Sequence, residues 1–308
     1  MNGKLKRRTL EIEDGSISYL CNEKKAGRPN FHLLHATGFN ANTYRQILEP
    51  LSEYLNVYAC DLRGHGLGTT TANPGELKSW DVYREDFYRF LNTINEPVYL
   101  MGHSVGSVVS IAGAVQRPDL VQGLILTEPL IYPDESSTLF NKSDASTDLL
   151  VAGARRRRAE FSSQHEMVEN YLGKGAFKTW SRPWIEDYVA GGSRIKADTC
   201  VELACKPEWE AASFQVAELT PWNDIEKLQC PTTIVYASSG GFSTCYQEGV
   251  AKYLTIHPQT KVMPCKDASH FLPMEQPALV IEAVLNMVEA CENIPLDHRK
   301  SRIKKELA

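Results

Sequence analysis

Apolar positions along the chain change spacing at regular intervals. Short, nearly continuous apolar or β-branched runs occur at "ISYLCN", "FHLLH", "NVYACD", "PVYLMG", "LVQGLILT", "TTIVYAS" and "TKVMPC". Runs of that length without polar alternation predict strands covered on both faces. Between them the spacing becomes helical. After Ser79, read as an N-cap, Trp80, Tyr83, Phe87, Phe90, Leu91 and Ile94 fall on one face. Near the C-terminus Leu279, Val280, Ala283, Val284, Met287 and Val288 repeat that pattern. Alternating strands and helices predict an α/β fold, a mainly parallel sheet with helices on both faces. The alternation lapses between Pro133 and Trp222, where the pattern is helical and rich in arginine and aromatics, with no convincing strand. This predicts a core from residues 1–133 and 223–308 and a helical cap inserted at 134–222.

Length and composition narrow the class without naming a function. A chain of 308 residues, 43% hydrophobic and 23% charged, can build a large globular core and is neither disordered nor fibrous. A net charge of −5 gives no reason to expect a nucleic-acid partner. No apolar run is long enough to span a bilayer, and the N-terminal "MNGKLKRRTLEIEDG" lacks the apolar stretch of a secretory signal. The eight cysteines include no Cys-x-x-Cys pair, which predicts reduced thiols in a cytoplasmic protein. His32 and His35, three apart in a strand-like run, point to opposite faces and predict no metal site. The run Arg155 to Arg158 reads as a solvated helix face, and the basic tail "DHRKSRIKKELA" as a frayed end.

Candidate chemistry centres on "PVYLMGHSVGSVVSIAGA", Pro97 to Ala114, where Gly-His-Ser-Val-Gly stands between a strand pattern and a helix of small residues. A serine hydroxyl is a weak nucleophile unless it is exposed and a base removes its proton. A sharp strand–turn–helix junction provides the exposure, and it crowds positions two before and two after the serine, here Gly102 and Gly106. Ser104 is therefore the candidate nucleophile. An acyl-transfer site also needs N–H donors for an oxyanion. Val105, following the nucleophile, supplies one. The other comes from "FHLLHATGFNANTY", with Thr37 first and Ala36 or Gly38 as alternatives. His65, in "DLRGHG", reads as part of a structural loop.

These motifs together resemble the α/β-hydrolase superfamily. "LLHATGF" is similar to its oxyanion loop, "DLRGHG" to the loop after the next strand, "GHSVG" to its nucleophile elbow and "DASHFLPMEQP" to its histidine loop. The four occur in family order across residues 31 to 280. The resemblance implies an eight-stranded core, a cap after the sixth strand and a Ser–acid–His triad in chain order. It makes His270 the base. The family often carries an aspartate after the seventh strand, but here that turn reads "SSGG" and holds no acid. Some members carry the acid after the sixth strand, where this chain has Glu128. Asp267, three residues before His270, is the rival.

The expected protein is thus a serine hydrolase of the esterase or lactonase type, with catalytic Ser104, Glu128 and His270 and an oxyanion hole of Thr37 and Val105. It needs no cofactor. A serine nucleophile argues against the dehalogenase and epoxide-hydrolase chemistry that this fold performs with aspartate. Phe39, His103, Tyr132, Trp180 and Trp184 are candidate substrate contacts. The expected partners are a small apolar ester or lactone and, at most, a second copy of the chain. Hydrolysis of an amide, thioester or carbon–carbon bond, or ligand reception with little turnover, are the competing readings.

Overall fold

The computed structural model describes residues 5–133, 138–197, 200–239 and 243–293. The core begins with a hairpin, β1 (Lys6–Ile12) and β2 (Gly15–Cys21), followed by β3 (Asn30–Leu34), α1 (Arg45–Leu51), β4 (Asn56–Cys60), α2 (Asp81–Ile94), β5 (Val98–His103), α3 (Val105–Gln116) and β6 (Val121–Thr127). Between β6 and β10 the chain carries α4 (Thr138–Arg155), β7 (Glu160–Phe161), α5 (Gln164–Tyr171), α6 (Arg182–Gly192), β8 (Ser193–Ala197), β9 (Cys200–Leu203), α7 (Pro207–Gln215) and α8 (Trp222–Ile225). The core resumes with β10 (Thr232–Ala237), α9 (Ser243–Ile256), β11 (Lys261–Cys265), α10 (Leu272–Glu275) and α11 (Pro277–Glu292).

Eight strands form one sheet in the order β1-β2-β4-β3-β5-β6-β10-β11. Within it β2 pairs antiparallel with both β1 and β4, and the pairs from β4 to β11 are parallel. Every residue of β3, β5 and β10 is buried, as the uninterrupted apolar runs predict. Alternate residues of these strands feed two apolar clusters, one on each face. Phe31, Leu33, Tyr99 and Met101 pack under α1 and α11. Leu34, Val98 and Leu100 pack with Phe87, Phe90 and Leu91 of α2 and with Val105, Val108 and Val109 of α3.

Three features depart from the sequence reading. β1 (KRRTLEI) is an edge strand whose exposed face is charged, so it shows no apolar run, and charge on a free edge discourages intermolecular pairing. The helix expected to be capped by Ser79 starts at Asp81, with Trp80 in the cap position, although Ser79 Oγ still accepts the Asp81 N–H at 3.2 Å. The inserted segment is not wholly helical. It contains a three-stranded antiparallel sheet, β7-β9-β8, whose strands of two to five residues leave too short a pattern to read. The last helix before β10, α8, buries Trp222 and Ile225 in the same core cluster as α2 and α3.

Candidate active site

Ser104 sits between β5 and α3 with φ 55° and ψ −119°, outside the favoured regions for a residue with a side chain. The turn is enforced by close approach. A Cβ on Gly102 would lie 2.2 Å from the Gly106 carbonyl oxygen, and a Cβ on Gly106 would lie 2.3 Å from that of Leu34. The Ser104 N–H is tied to the Thr127 carbonyl at 3.2 Å, which fixes the turn to the end of β6. Strain of this kind persists only where surrounding structure over-determines it.

The residue after β6 is Glu128, also at positive φ (49°) and wholly buried. Its N–H donates to the Val235 carbonyl at 2.9 Å, and its Oε1 accepts the Ala237 N–H. Its Oε2 lies 3.3 Å from His270 Nδ1, the ring nitrogen that donates to it. The His270 side chain is 29% exposed. The rival acid, Asp267, is exposed; its backbone carbonyl accepts from Gln276 Nε2 at 3.2 Å, and no hydrogen bond joins its carboxylate to His270 among the described residues. The acid-free turn after β10 is held by its backbone: Ser238 N–H donates to the Cys265 carbonyl at 2.7 Å.

Around the candidate oxyanion loop, Ala36 N–H is taken by Tyr44 Oη at 3.1 Å. Thr37 N–H and Val105 N–H have no hydrogen-bond acceptor among the described residues. Val105 is the first residue of α3, whose leading N–H groups favour negative charge. Gly38 adopts φ 77°, and a Cβ there would lie 2.4 Å from Glu210 Oε1. Tyr188 Oη donates to the Gly38 carbonyl at 3.2 Å and accepts from Arg157 Nη2 at 2.6 Å, while Arg157 Nη1 pairs with Glu210. One arginine of the Arg155–Arg158 run thus turns inward onto the oxyanion loop. Two asparagines of that loop complete the joint: Asn40 Nδ2 donates to the Tyr188 carbonyl at 3.0 Å and Asn42 Nδ2 to that of Asp187 at 2.8 Å.

Phe39 and Trp180 lie with ring centroids 5.3 Å apart, and each also meets Phe271, the neighbour of His270, at 6.0 and 5.9 Å. Trp184 is buried in the same apolar cluster as Phe39 and Trp180. Trp180 is 4% exposed, and its indole N–H has no acceptor among the described residues. Tyr132 lies in the opposite cluster, its backbone N–H on the Leu219 carbonyl at 2.7 Å and its carbonyl on Trp222 Nε1 at 2.9 Å. The substrate contact expected of His103 does not match its surroundings. The ring is fully buried, with Nδ1 2.6 Å from Tyr44 Oη and Nε2 2.8 Å from the His270 carbonyl, so neither nitrogen is left for a ligand. Burial, and then the neighbouring His270, hold its pKa well below the usual histidine range.

His32, His35 and His65 are buried and held by the fold. Burial pushes His65 down to about 3, and its Nδ1 donates to the Arg63 carbonyl at 2.9 Å. His32 is likewise pushed to about 3 by burial, and His35 Nε2 accepts the Leu62 N–H at 2.9 Å. Among the described residues no group of His, Cys, Asp or Glu could hold a metal ion, and no helix is long and apolar enough to cross a membrane. An open cleft of roughly 380 Å³ lies elsewhere, between the 64–74 loop and β9, lined by Arg194, Lys206 and Trp209 and by none of the site candidates.

A family model of the alpha/beta hydrolases matches residues 33–283. The chain belongs to the alpha/beta hydrolase family. Among its relatives, monoglyceride lipase of Rattus norvegicus is 31% identical over 139 residues, 41% of this chain and 44% of the lipase, so the match spans less than half of that protein. The 2-(acetamidomethylene)succinate hydrolase of Mesorhizobium japonicum is 24% identical over 292 residues, 91% of this chain and 94% of that one. A crystal structure of E-2-(acetamidomethylene)succinate hydrolase superposes with a TM-score of 0.77 at 19% identity, covering 92% of this chain and 99% of that one. The chain thus shares the family and the fold of these proteins.

Proposed function

We propose that the protein is a serine hydrolase of carboxylic esters or lactones, acting through an acyl-enzyme on Ser104. The observation that carries this reading is the seat of Glu128. It is a buried carboxylate with one oxygen on the Ala237 N–H and the other on His270 Nδ1, one residue beyond the strand end to which the Ser104 turn is bonded. An acceptor on Nδ1 keeps the ring proton there, so that Nε2 carries the lone pair with which a base takes a proton. In this reading Ser104 Oγ attacks the carbonyl carbon while His270 takes its proton. The tetrahedral oxyanion is held by the N–H groups of Thr37 and Val105. The intermediate collapses, breaking the bond to the leaving oxygen, which receives the proton from His270. Water then adds with His270 again as base, and its attack returns the acid product and free Ser104. No cofactor enters.

Residues 134–222 act in this proposal as a cap whose Trp180, with Phe39 and Phe271, walls the acyl site. The unpartnered Trp180 N–H suits a substrate that carries a hydrogen-bond acceptor within an otherwise apolar surface. Trp184 belongs to the same apolar cluster as that wall, and Tyr132 does not. A second reading, cleavage of an amide, is favoured by the near full-length similarity to a hydrolase named for an acetamido compound. The test is labelling by a fluorophosphonate, followed by turnover of matched panels of aryl esters, lactones and anilides. Rapid labelling lost in Ser104→Ala, with esters or lactones turned over fastest, is the expected result. Absence of labelling on the folded wild type would sink the serine mechanism, and preference for anilides would move the reading to amides.

A further inference from the structure

Three loops of the proposed site are joined by hydrogen bonds that use none of its catalytic groups. The Ala36 N–H can only donate and the His270 carbonyl can only accept. His103 Nε2 must therefore carry the proton it gives to His270 O at 2.8 Å. Its Nδ1 is then a bare lone pair and accepts from the Tyr44 hydroxyl at 2.6 Å. The Tyr44 oxygen, its proton committed, accepts the Ala36 N–H at 3.1 Å. This arrangement of protons satisfies all three bonds at once. Tyr44 and His103 are fully buried, so the chain is rigid and unsolvated.

Its ends matter more than its middle. Ala36 precedes Thr37, the proposed oxyanion donor, and His103 precedes Ser104. The far end is the backbone of His270 itself. We propose that Tyr44 and His103 are positioning residues that hold the oxyanion loop and the His270 loop at a fixed separation across the nucleophile turn. The proposal rests on the hydrolase reading above. In that reaction the His270 ring becomes a cation and must serve first Ser104 and then the leaving group, so the ring has to pivot on a backbone that stays put. Thr37 N–H must meanwhile point where the oxyanion forms. A misplacement of about 1 Å between such groups can cost on the order of 10² in rate. A neutral crosspiece suits the place, because a second cation beside His270 would oppose its protonation.

Tyr44→Phe removes one oxygen and cuts two of the three bonds. We expect kcat to fall about tenfold with KM within about twofold, and the second-order rate of fluorophosphonate labelling to fall by a similar factor. His103→Gln keeps a donor and an acceptor and is expected to retain more activity than His103→Leu. The Tyr44→Phe/His103→Gln double variant is expected to lose no more than the poorer single variant, because both break one chain. In the wild type, imidazole ¹⁵N NMR is expected to show His103 protonated on Nε2 and bare on Nδ1 across the active pH range. That measurement needs no substitution, so it decides the matter if Tyr44→Phe does not fold. A wild type that labels while Tyr44→Phe keeps its kcat, additive losses in the double variant, or the opposite His103 tautomer would each overturn the bridge. A wild type that does not label would instead overturn the hydrolase reading.

Discussion

Replacing Glu128 by Gln separates the roles of its two oxygens. The Ala237 N–H is a backbone donor fixed at the end of β10 and requires an acceptor. The glutamine carbonyl oxygen must take that place, because the amide NH₂ facing Ala237 would oppose donor to donor in a fully buried site. The NH₂ then faces His270 Nδ1 and donates to it, which moves the ring proton to Nε2, the nitrogen that has to accept from Ser104. The same exchange in a serine protease lowers kcat by about 10⁴, or roughly 5 kcal/mol of barrier. Two observations soften it here. The bond replaced is long, 3.3 Å, and the His270 side chain is 29% exposed, so water can solvate the imidazolium. A loss of roughly 10² to 10⁴ in kcat/KM on any ester the wild type cleaves is expected, with an unchanged far-ultraviolet circular dichroism spectrum. Asp267→Asn is expected to change kcat/KM by less than about threefold, since surface substitutions rarely matter. A loss of a hundredfold at Asp267 with less than tenfold at Glu128 would refute the assignment and move the acid to the histidine loop.

Ser104→Ala is expected to lower kcat by on the order of 10⁶. Ser104→Gly is equally inactive but more stable than Ser104→Ala by about 1 kcal/mol in urea melts, because glycine relieves the positive φ. Trp180→Phe keeps an aromatic side chain but loses the N–H and the second ring; kcat/KM is expected to fall about tenfold or more further for esters whose acyl chain carries an acceptor than for the isosteric hydrocarbon. Asp187, in α6, has its pKa raised from 3.8 to about 6, chiefly by burial, with Gln46 and Arg45 opposing. A carboxyl raised on folding binds more protons in the native state, so stability is expected to fall by up to about 3 kcal/mol as pH climbs from about 4 to about 6. Asp187→Asn is expected to melt higher than wild type at pH 7.5 and to close that gap at pH 4.5; a constant gap would refute it.

What could be read from the sequence follows from where each residue's environment comes from. Buried on both faces, β3, β5 and β10 announce themselves by composition alone. Gly102 and Gly106 flank Ser104 because the turn excludes a Cβ, a local constraint that leaves a local signature. Glu128 is legible only through the resemblance to the hydrolases, some of which carry the acid after the sixth strand when the turn after the seventh has none. By contrast, β1 is a strand only because β2 lies beside it, and β7 to β9 are too short to set a period. Tyr44 is bonded to a residue 59 positions away, and Arg157 to one 53 positions away. Neither partner is marked in the local pattern, so His103 looked like a wall of the substrate site and Arg157 like a surface charge.

The joint between Asn40, Asn42 and α6 bears on how such proteins can be recombined. An insertion that merely roofed the core would be exchangeable, and specificity could be changed by transplanting it from another family member. Here α6 grips the proposed oxyanion loop by Asn40, Asn42 and the Gly38 carbonyl, and a Cβ on Gly191 would lie 2.3 Å from Asn40 Oδ1. A transplant cut at the chain boundaries would deliver a new roof and leave Gly38 to Asn42 matched to the old one. The exchangeable module is therefore discontinuous: the insertion together with the few residues of the oxyanion loop that it clasps.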